Sequence, residues 1–515
     1  MSTRRPVDSR YVARSNIMGT GSPGENRSAT MISPRGAAQW HNTGLPVSRL
    51  PPEFLSIVFA ILTLIYIPAP TSKSLTWMYI THVCRRWRDV ALNNPALWST
   101  IILPFPLGAR WAEAFLSRSK SSALTITKDR EGLQPLPLRQ SELALVQANL
   151  ARTRSLCISA ESAISALSHP APILRTLDID MCGEWSLMDS LLGGAPALQH
   201  LRVTGELPWT SPLLRVAHLV SLEIVSPGRY PFYATLAEVI AALRSMRHTL
   251  ERFVVRFEVY DAEGPRSSIV QMAVLRHLEL TGNMETASQL FSHVSLPEDA
   301  RIRYHVGLIT EGCEANTSLH LAVACRDPGA APLTHVKIRF PSAYKTEIDA
   351  WRNGAAEGAP ALAASYDFER NRYDPQIATG QAVEVFSKDM EHLTVRSNSR
   401  NWPWLFSLHD AHSLRHIEVV GGAAHPLLHA LLRCIDGFLP SLSTLILAGE
   451  EPTMDVTAAD VSVSLSEYRT LPQCLAERAR AGCALKELDI VGCCDVDQEI
   501  VGRLQKAMPE MILRW

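Results

Sequence analysis

Apolar positions along the chain follow two different patterns. From about residue 154 a short phrase recurs, L-x-x-L-x-L, whose last two apolar residues alternate with polar ones and so share one face of a strand. Full copies are Leu174-x-x-Leu177-x-Ile179, Leu198-x-x-Leu201-x-Val203, Leu219-x-x-Leu222-x-Ile224 and Leu275-x-x-Leu278-x-Leu280. Leu414-x-x-Ile417-x-Val419, Leu442-x-x-Leu445-x-Leu447 and Leu485-x-x-Leu488-x-Ile490 continue the series. Shortened copies sit at Leu156-x-Ile158, Phe253-x-Val255, Val336-x-Ile338 and Leu393-x-Val395. Ahead of them, residues 45–101 hold a second pattern. Phe54, Leu55, Ile57, Val58, Phe59, Ile61 and Leu62 leave no polar face, and a helix apolar all round must be covered from more than one side. Pro51, Pro52 and Glu53 suit its start. Val83, Cys84, Trp87, Val90 and Ala91 form one face of a second helix, with Arg85, Arg86, Arg88 and Asp89 on the other, and Asn93-Asn94-Pro95 stops it before Leu97-Trp98.

The repeated phrase is irregularly spaced. Leu177, Leu201 and Leu222 are 24 and 21 residues apart, within the roughly 20–29 residues of leucine-rich repeats. Intervals of 58 and 57 residues, from Leu278 to Val336 and from Val336 to Leu393, call for two coils or an insertion each. Ile302-x-Tyr304 and Leu319-x-Leu321-x-Val323 are candidate strands between them, and segments near 341–380 and 449–466 read as long loops. Leu275–Asn283 completes a longer motif ending in asparagine, and Cys182 and Cys493 stand at the matching place in two other copies. There an asparagine satisfies backbone groups of the neighbouring coil, so both cysteines read as structural. Between the two regimes, Trp111–Ser119 reads as a helix, Leu124-Thr125-Ile126 as a strand, and Gln140–Thr153 as an amphipathic helix.

Composition narrows the class. The 515 residues carry 50 basic and 51 acidic groups, a net charge of −1, so there is no electrostatic case for nucleic acid or a membrane surface. Ten cysteines and the absence of a secretory pattern predict reduced thiols in the cytoplasm or nucleus. Residues 1–44, basic and without a period, read as a disordered tail. Gly19-x-Gly21-x-x-Gly24 in that tail lacks the strand and helix that give a dinucleotide fingerprint its meaning. No P-loop, G-x-S-x-G, H-E-x-x-H or paired C-x-x-C occurs, and His409 and His412 lack a third metal ligand. No enzyme, cofactor or metal site is expected. Trp402 and Trp404 read as core anchors or a recognition edge. The apolar run from Phe54 to Ile67 covers 14 residues, short of the roughly 20 of a membrane span.

Three blocks in order, Leu50-Pro51-x-Glu53-x-Leu55-x-x-Val58-Phe59-x-x-Leu62, Val83-Cys84-Arg85-Arg86-Trp87 and Leu97-Trp98, resemble an F-box. The linking segment "W…L-x-R-S…L-T-I" is similar to that of the expanded F-box family of mushroom-type fungi. The resemblance implies an α/β chain: a three-helix F-box at 45–103, linker helices and a first strand at 104–153, and an irregular leucine-rich-repeat solenoid, a horseshoe, over 154–515. It further implies docking on a Skp-type adaptor, and through it on a cullin. The docking residues would be Leu50, Pro51, Phe54, Ile57, Phe59, Leu62, Val83, Cys84, Trp87, Leu97 and Trp98. The repeats would then hold an unknown protein substrate. Alternatives are an ordinary three-helix bundle packed on the following domain, an α+β domain with leucine-rich strands in place of the repeats, an F-box scaffold outside any ligase, and a membrane-anchored repeat protein.

Overall fold

The computed structural model describes residues 46–515 apart from 67–75, 104, 106–107, 129–138, 160–166, 168, 181–194, 206, 216–217, 226–231, 262–268, 310–321, 324–328, 343–344, 353–357, 369–382, 398–402, 434–436, 450–469 and 492–497. The basic tail, Cys182, Cys493, Trp402 and most of the second expected loop lie outside them.

The described residues begin with a short 3-10 turn, Pro46–Arg49, followed by three longer helical pieces. Helix α1 spans Pro52–Ile65, a 3-10 turn spans Thr76–His82, and α2 spans Arg85–Leu92. Pro52 sits at the first helical position of α1, where its missing amide hydrogen costs nothing. Cys84 caps α2, its sulfur accepting from the Trp87 amide at 3.5 Å. A further 3-10 turn, Pro95–Trp98, is capped by Asn94. The next residues already form β1, Thr100–Leu103, which pairs with β2, Leu124–Lys128. The sheet thus begins inside the segment expected to be purely helical, because Ile101, Ile102 and Leu103 bury their side chains in the common core. Helices α3 (Ala109–Ser119) and α4 (Gln140–Asn149) flank β2.

The chain is mixed α/β, and one 18-stranded, mostly parallel sheet dominates it. After β2 come β3 (Thr153–Ser159), β4 (Thr176–Asp180), β5 (His200–Thr204) and β6 (Ser221–Val225), each parallel to the one before. Strand β7 (Phe232–Thr235) pairs with the outer half of β8 (Arg252–Asp261), whose first half pairs with β6. A two-stranded pair, β9 (Val270–Gln271) and β11 (Val294–Ser295), stands apart. The sheet continues through β10 (His277–Gly282) and β12 (Arg301–Ile309). Farther on, β16 (His392–Arg396), β17 (His416–Val420), β18 (Thr444–Ala448), β19 (Glu487–Val491) and β20 (Ile512–Arg514) again run parallel in chain order.

The recurring phrase explains this regularity. Its first leucine precedes each strand and its last two residues point inward: Leu174, Leu177 and Ile179 are all fully buried, as are their counterparts down to Leu488. Just ahead of the strands a second backbone ladder runs from turn to turn: Arg175 donates to Arg154, Val220 to Gln199, Arg276 to Glu251, Ser443 to Arg415 and Lys486 to Ser443. Helices α5 (Leu236–Met246), α6 (Met284–His293), α7 (Ala424–Arg433), α8 (Leu471–Arg480) and α9 (Gln498–Ala507) supply the other wall of the same core. The opposite sheet face is polar and half exposed.

One excursion breaks the order. After β12 the chain skips ahead to β13 (Leu333–Ser342), returns antiparallel as β14 (Lys345–Arg352), and runs forward as β15 (Leu362–Phe368) beside β12. Strand β16 then pairs with β13. This corrects the long loop expected near 341–380. Thr346, Ile348 and Ala350, then Leu362, Ala364 and Tyr366, alternate inward with a period of two, which the polar neighbours and small residues conceal. Tyr366 meets Tyr304 of β12, rings edge to face at 5.8 Å and hydroxyls hydrogen-bonded to each other. Val323, expected in a strand, is helical. Asn283 caps its own following helix, accepting from the Thr286 amide at 2.7 Å, rather than bridging to a neighbouring coil.

Candidate partner-docking face

The N-terminal helices are held from one side only. Trp98 is their anchor. It lies edge-on to Trp77 at 5.1 Å and to Phe115 of α3 at 5.0 Å, while the Arg118 guanidinium sits 4.3 Å above its ring. Its indole nitrogen donates to the Ala91 carbonyl at 2.9 Å. Phe59 of α1 packs on Trp87 at 5.2 Å, and Leu55 and Phe59 are the two buried residues of that helix. Arg86 donates to the Leu50 carbonyl and Arg88 to the Thr81 carbonyl at 2.8 Å, fixing α2 to the segments on either side.

The remaining face of α1 is bare. Phe54 and Ile57 are each 59% exposed and Leu64 is 76% exposed, with Val58, Ile61, Ile65 and Tyr66 also open. Leu50, Tyr79 and Val83, in the segments before and after α1, are exposed as well. Eleven of the seventeen exposed large hydrophobic residues among those described lie between Val47 and Val83. Scattered apolar residues on a surface need no explanation, but a contiguous patch marks an interaction site.

The expected docking set therefore divides. Leu50, Pro51, Phe54, Ile57 and Val83 are on the surface; Leu62, Cys84 and Trp87 are half-buried. Phe59, Leu97 and Trp98 are buried in the chain's own core and offer no surface to a partner. That corrects their expected place: Trp98 fastens the helical group to Phe115 of α3, and Phe59 packs on Trp87 within the group. Ile61, Leu64 and Ile65, absent from the expected set, belong to the bare face; the all-round apolar character of the run was their signal. No helix among the described residues is long and apolar enough to cross a membrane.

A second feature lay outside any motif. His335 of β13, His392 of β16 and His416 of β17 are register partners on the polar sheet face. The first two rings stack at 3.9 Å and 12°, and the third lies 5.1 Å farther on. Partial burial and, for His335 and His392, the neighbouring imidazoles hold all three below the ordinary histidine value. His409, Asp410 and His412, by contrast, are exposed rather than packed, and no group of three metal-ligating side chains occurs among the described residues. Compared with protein-family models the chain matches none, and no curated protein matches it.

Proposed function

We propose that this chain is the substrate-recognition subunit of a Skp–cullin–F-box ubiquitin ligase. The observation that carries the reading is the bare apolar face of α1, on a helical group whose sequence resembles an F-box and which is otherwise tightly fastened to the rest of the chain. Burying six such side chains, at roughly 1.5–3 kcal/mol each when fully covered, far exceeds what a solvated helix gains from its surroundings and is the expected driving force for docking. The sequential parallel strands, each opened by a buried leucine, support the leucine-rich-repeat reading of the larger part, which would hold the target. Catalysis would be by proximity: the receptor raises the effective concentration of its target beside a conjugating enzyme carried by the cullin, and no residue here performs the transfer.

The test is retention of a Skp-type adaptor by tagged full-length chain. Wild type should retain adaptor and cullin, while Ile57→Asp and Phe54→Glu should abolish retention with unchanged thermal unfolding. Failure of the wild type to retain adaptor sinks the proposal. A scaffold outside any ligase, the second reading, predicts adaptor without cullin and no ubiquitylation of bound proteins. Nuclear or cytoplasmic residence follows from this assignment and is part of the same proposal.

A further inference from the structure

The polar sheet face carries a recess of about 210 Å³ where β13, β14, β16 and β17 meet. His335 and His392 form one wall, and Trp351 of β14, the register partner of His335, forms another. Lys337 and Arg396 open into it from the same strands as the two histidines. Neither cation has a salt-bridge partner among the described residues, and Arg396 is exposed. The nearby acids are already engaged. Asp349 accepts from Arg339 at 2.7 Å, Glu347 pairs with Arg339 at 3.3 Å and Lys345 at 2.8 Å, and Glu418 accepts from the Thr394 hydroxyl at 3.2 Å.

We propose that this recess binds an acidic peptide segment, its carboxylates taken by Lys337, Arg396 and the His335–His392–His416 row, its backbone lying against Trp351. The excursion β13–β15 is what makes the site: it sets β14 and its indole across the face that parallel strands alone would leave as a uniform ridge. Of the charged side chains that line the recess, Lys337 and Arg396 stand against Glu418 alone, a balance that suits short carboxylate side chains. A continuous phosphate backbone would meet Glu418 on the recess wall and, running on along β14, Asp349 and Glu347. The biological meaning, a target's degradation signal, rests on the receptor reading above; the binding itself does not.

The histidines make the binding proton-linked. They face Glu391, Arg396 and Arg415 at the two ends of β16 and β17, Glu418 within β17, Glu487 on β19, and Lys337 and Asp349 on β13 and β14. Burial keeps them largely neutral in the free protein near pH 7. A carboxylate arriving beside them favours the charged form, so binding takes up protons and tightens as pH falls.

Fluorescence anisotropy of the full chain with a fluorescein-labelled peptide alternating glutamate and serine, beside its glutamine counterpart, tests this. Expected are binding of the glutamate peptide only, and roughly tenfold tightening per pH unit between about pH 7.5 and pH 6 for each proton taken up. Lys337→Ala combined with Arg396→Ala should weaken binding at least about tenfold, as loss of two charge-assisted contacts predicts. His392→Gln should flatten the pH dependence while leaving Lys337 and Arg396 to bind. Equal binding of the glutamine peptide, indifference to the double variant, or tighter binding of an oligouridylate overturns the assignment. Adaptor retention measured on the same preparations reports separately on the docking reading, so failure of one is distinguishable from failure of the other.

Discussion

Trp98 and Phe54 lie in the same small helical group and have opposite duties. Trp98 touches Trp77, Phe115 and Arg118 and donates a buried hydrogen bond, so Trp98→Ala should cost about 3–5 kcal/mol in denaturant unfolding. Phe54 touches solvent, and its replacement by a polar residue should leave the unfolding midpoint within experimental scatter and, on the docking proposal, remove adaptor retention. Arg478 of α8 presents a third case. Its guanidinium is buried and donates to the Phe438 carbonyl at 2.5 Å and the Leu439 carbonyl at 2.9 Å. Arg478→Met keeps the bulk but takes the guanidinium away from both carbonyls, of which that of Leu439 keeps the Leu442 amide at 3.2 Å, and should destabilise by about 1–3 kcal/mol, measured by the same unfolding titration.

Strands β13, β16 and β17 together set a pH dependence. The folded protein holds their three histidines below the ordinary value of 6.5, chiefly by burial, so the unfolded chain binds more protons as the medium acidifies. The stability that the neutral rings contribute is fully present above about pH 6.5 and declines as pH falls through the depressed folded values. Replacing all three by glutamine should flatten the slope of stability against pH below about 6.5, read from denaturant midpoints at a series of pH values. His277 on β10 and His305 on β12 are also depressed by burial and keep part of the slope in that variant. The element that gathers the row, the β13–β15 excursion, depends on β14, whose antiparallel pairing to both neighbours replaces two parallel contacts. A proline at Ile348, central in β14 and fully buried, should therefore open the excursion and lower the melting temperature sharply.

Across the whole molecule, a single apolar core extends from Leu55 to Met508, and the helical group is bonded into it through β1 and the Trp98–Phe115 contact. A chain beginning at residue 104 would lose β1 and bare both Phe115 and the edge of β2, where Leu124 and Ile126 are fully buried. It should aggregate or melt well below the full chain, whereas an independent N-terminal domain would come away cleanly. Differential scanning calorimetry of the two chains, with light scattering, decides between these outcomes.

How much of this could be read beforehand varies with the distance over which each pattern acts. The strand-forming phrase is local: an alternation of two, opened by a leucine, is complete within six residues, so β4, β5, β6, β10, β17, β18 and β19 were legible one by one. The apolar surplus of α1 was legible too, since no arrangement of so few residues could cover it. Which rings would be spent internally was not. Phe59, Leu97 and Trp98 have the same chemistry as Phe54 and Ile57, and only the position of α3 and β1 decided that the first three are core. The excursion and the histidine row were hidden for a related reason. His335, His392 and His416 are separated by 57 and 24 residues, and nothing in those intervals states that β13 and β16 become neighbours by passing over β14 and β15. Local periodicity determined where the chain makes strands and where it carries an uncovered apolar helix. Strand pairing, a long-range choice set by which surfaces exclude water together, decided which side chains meet.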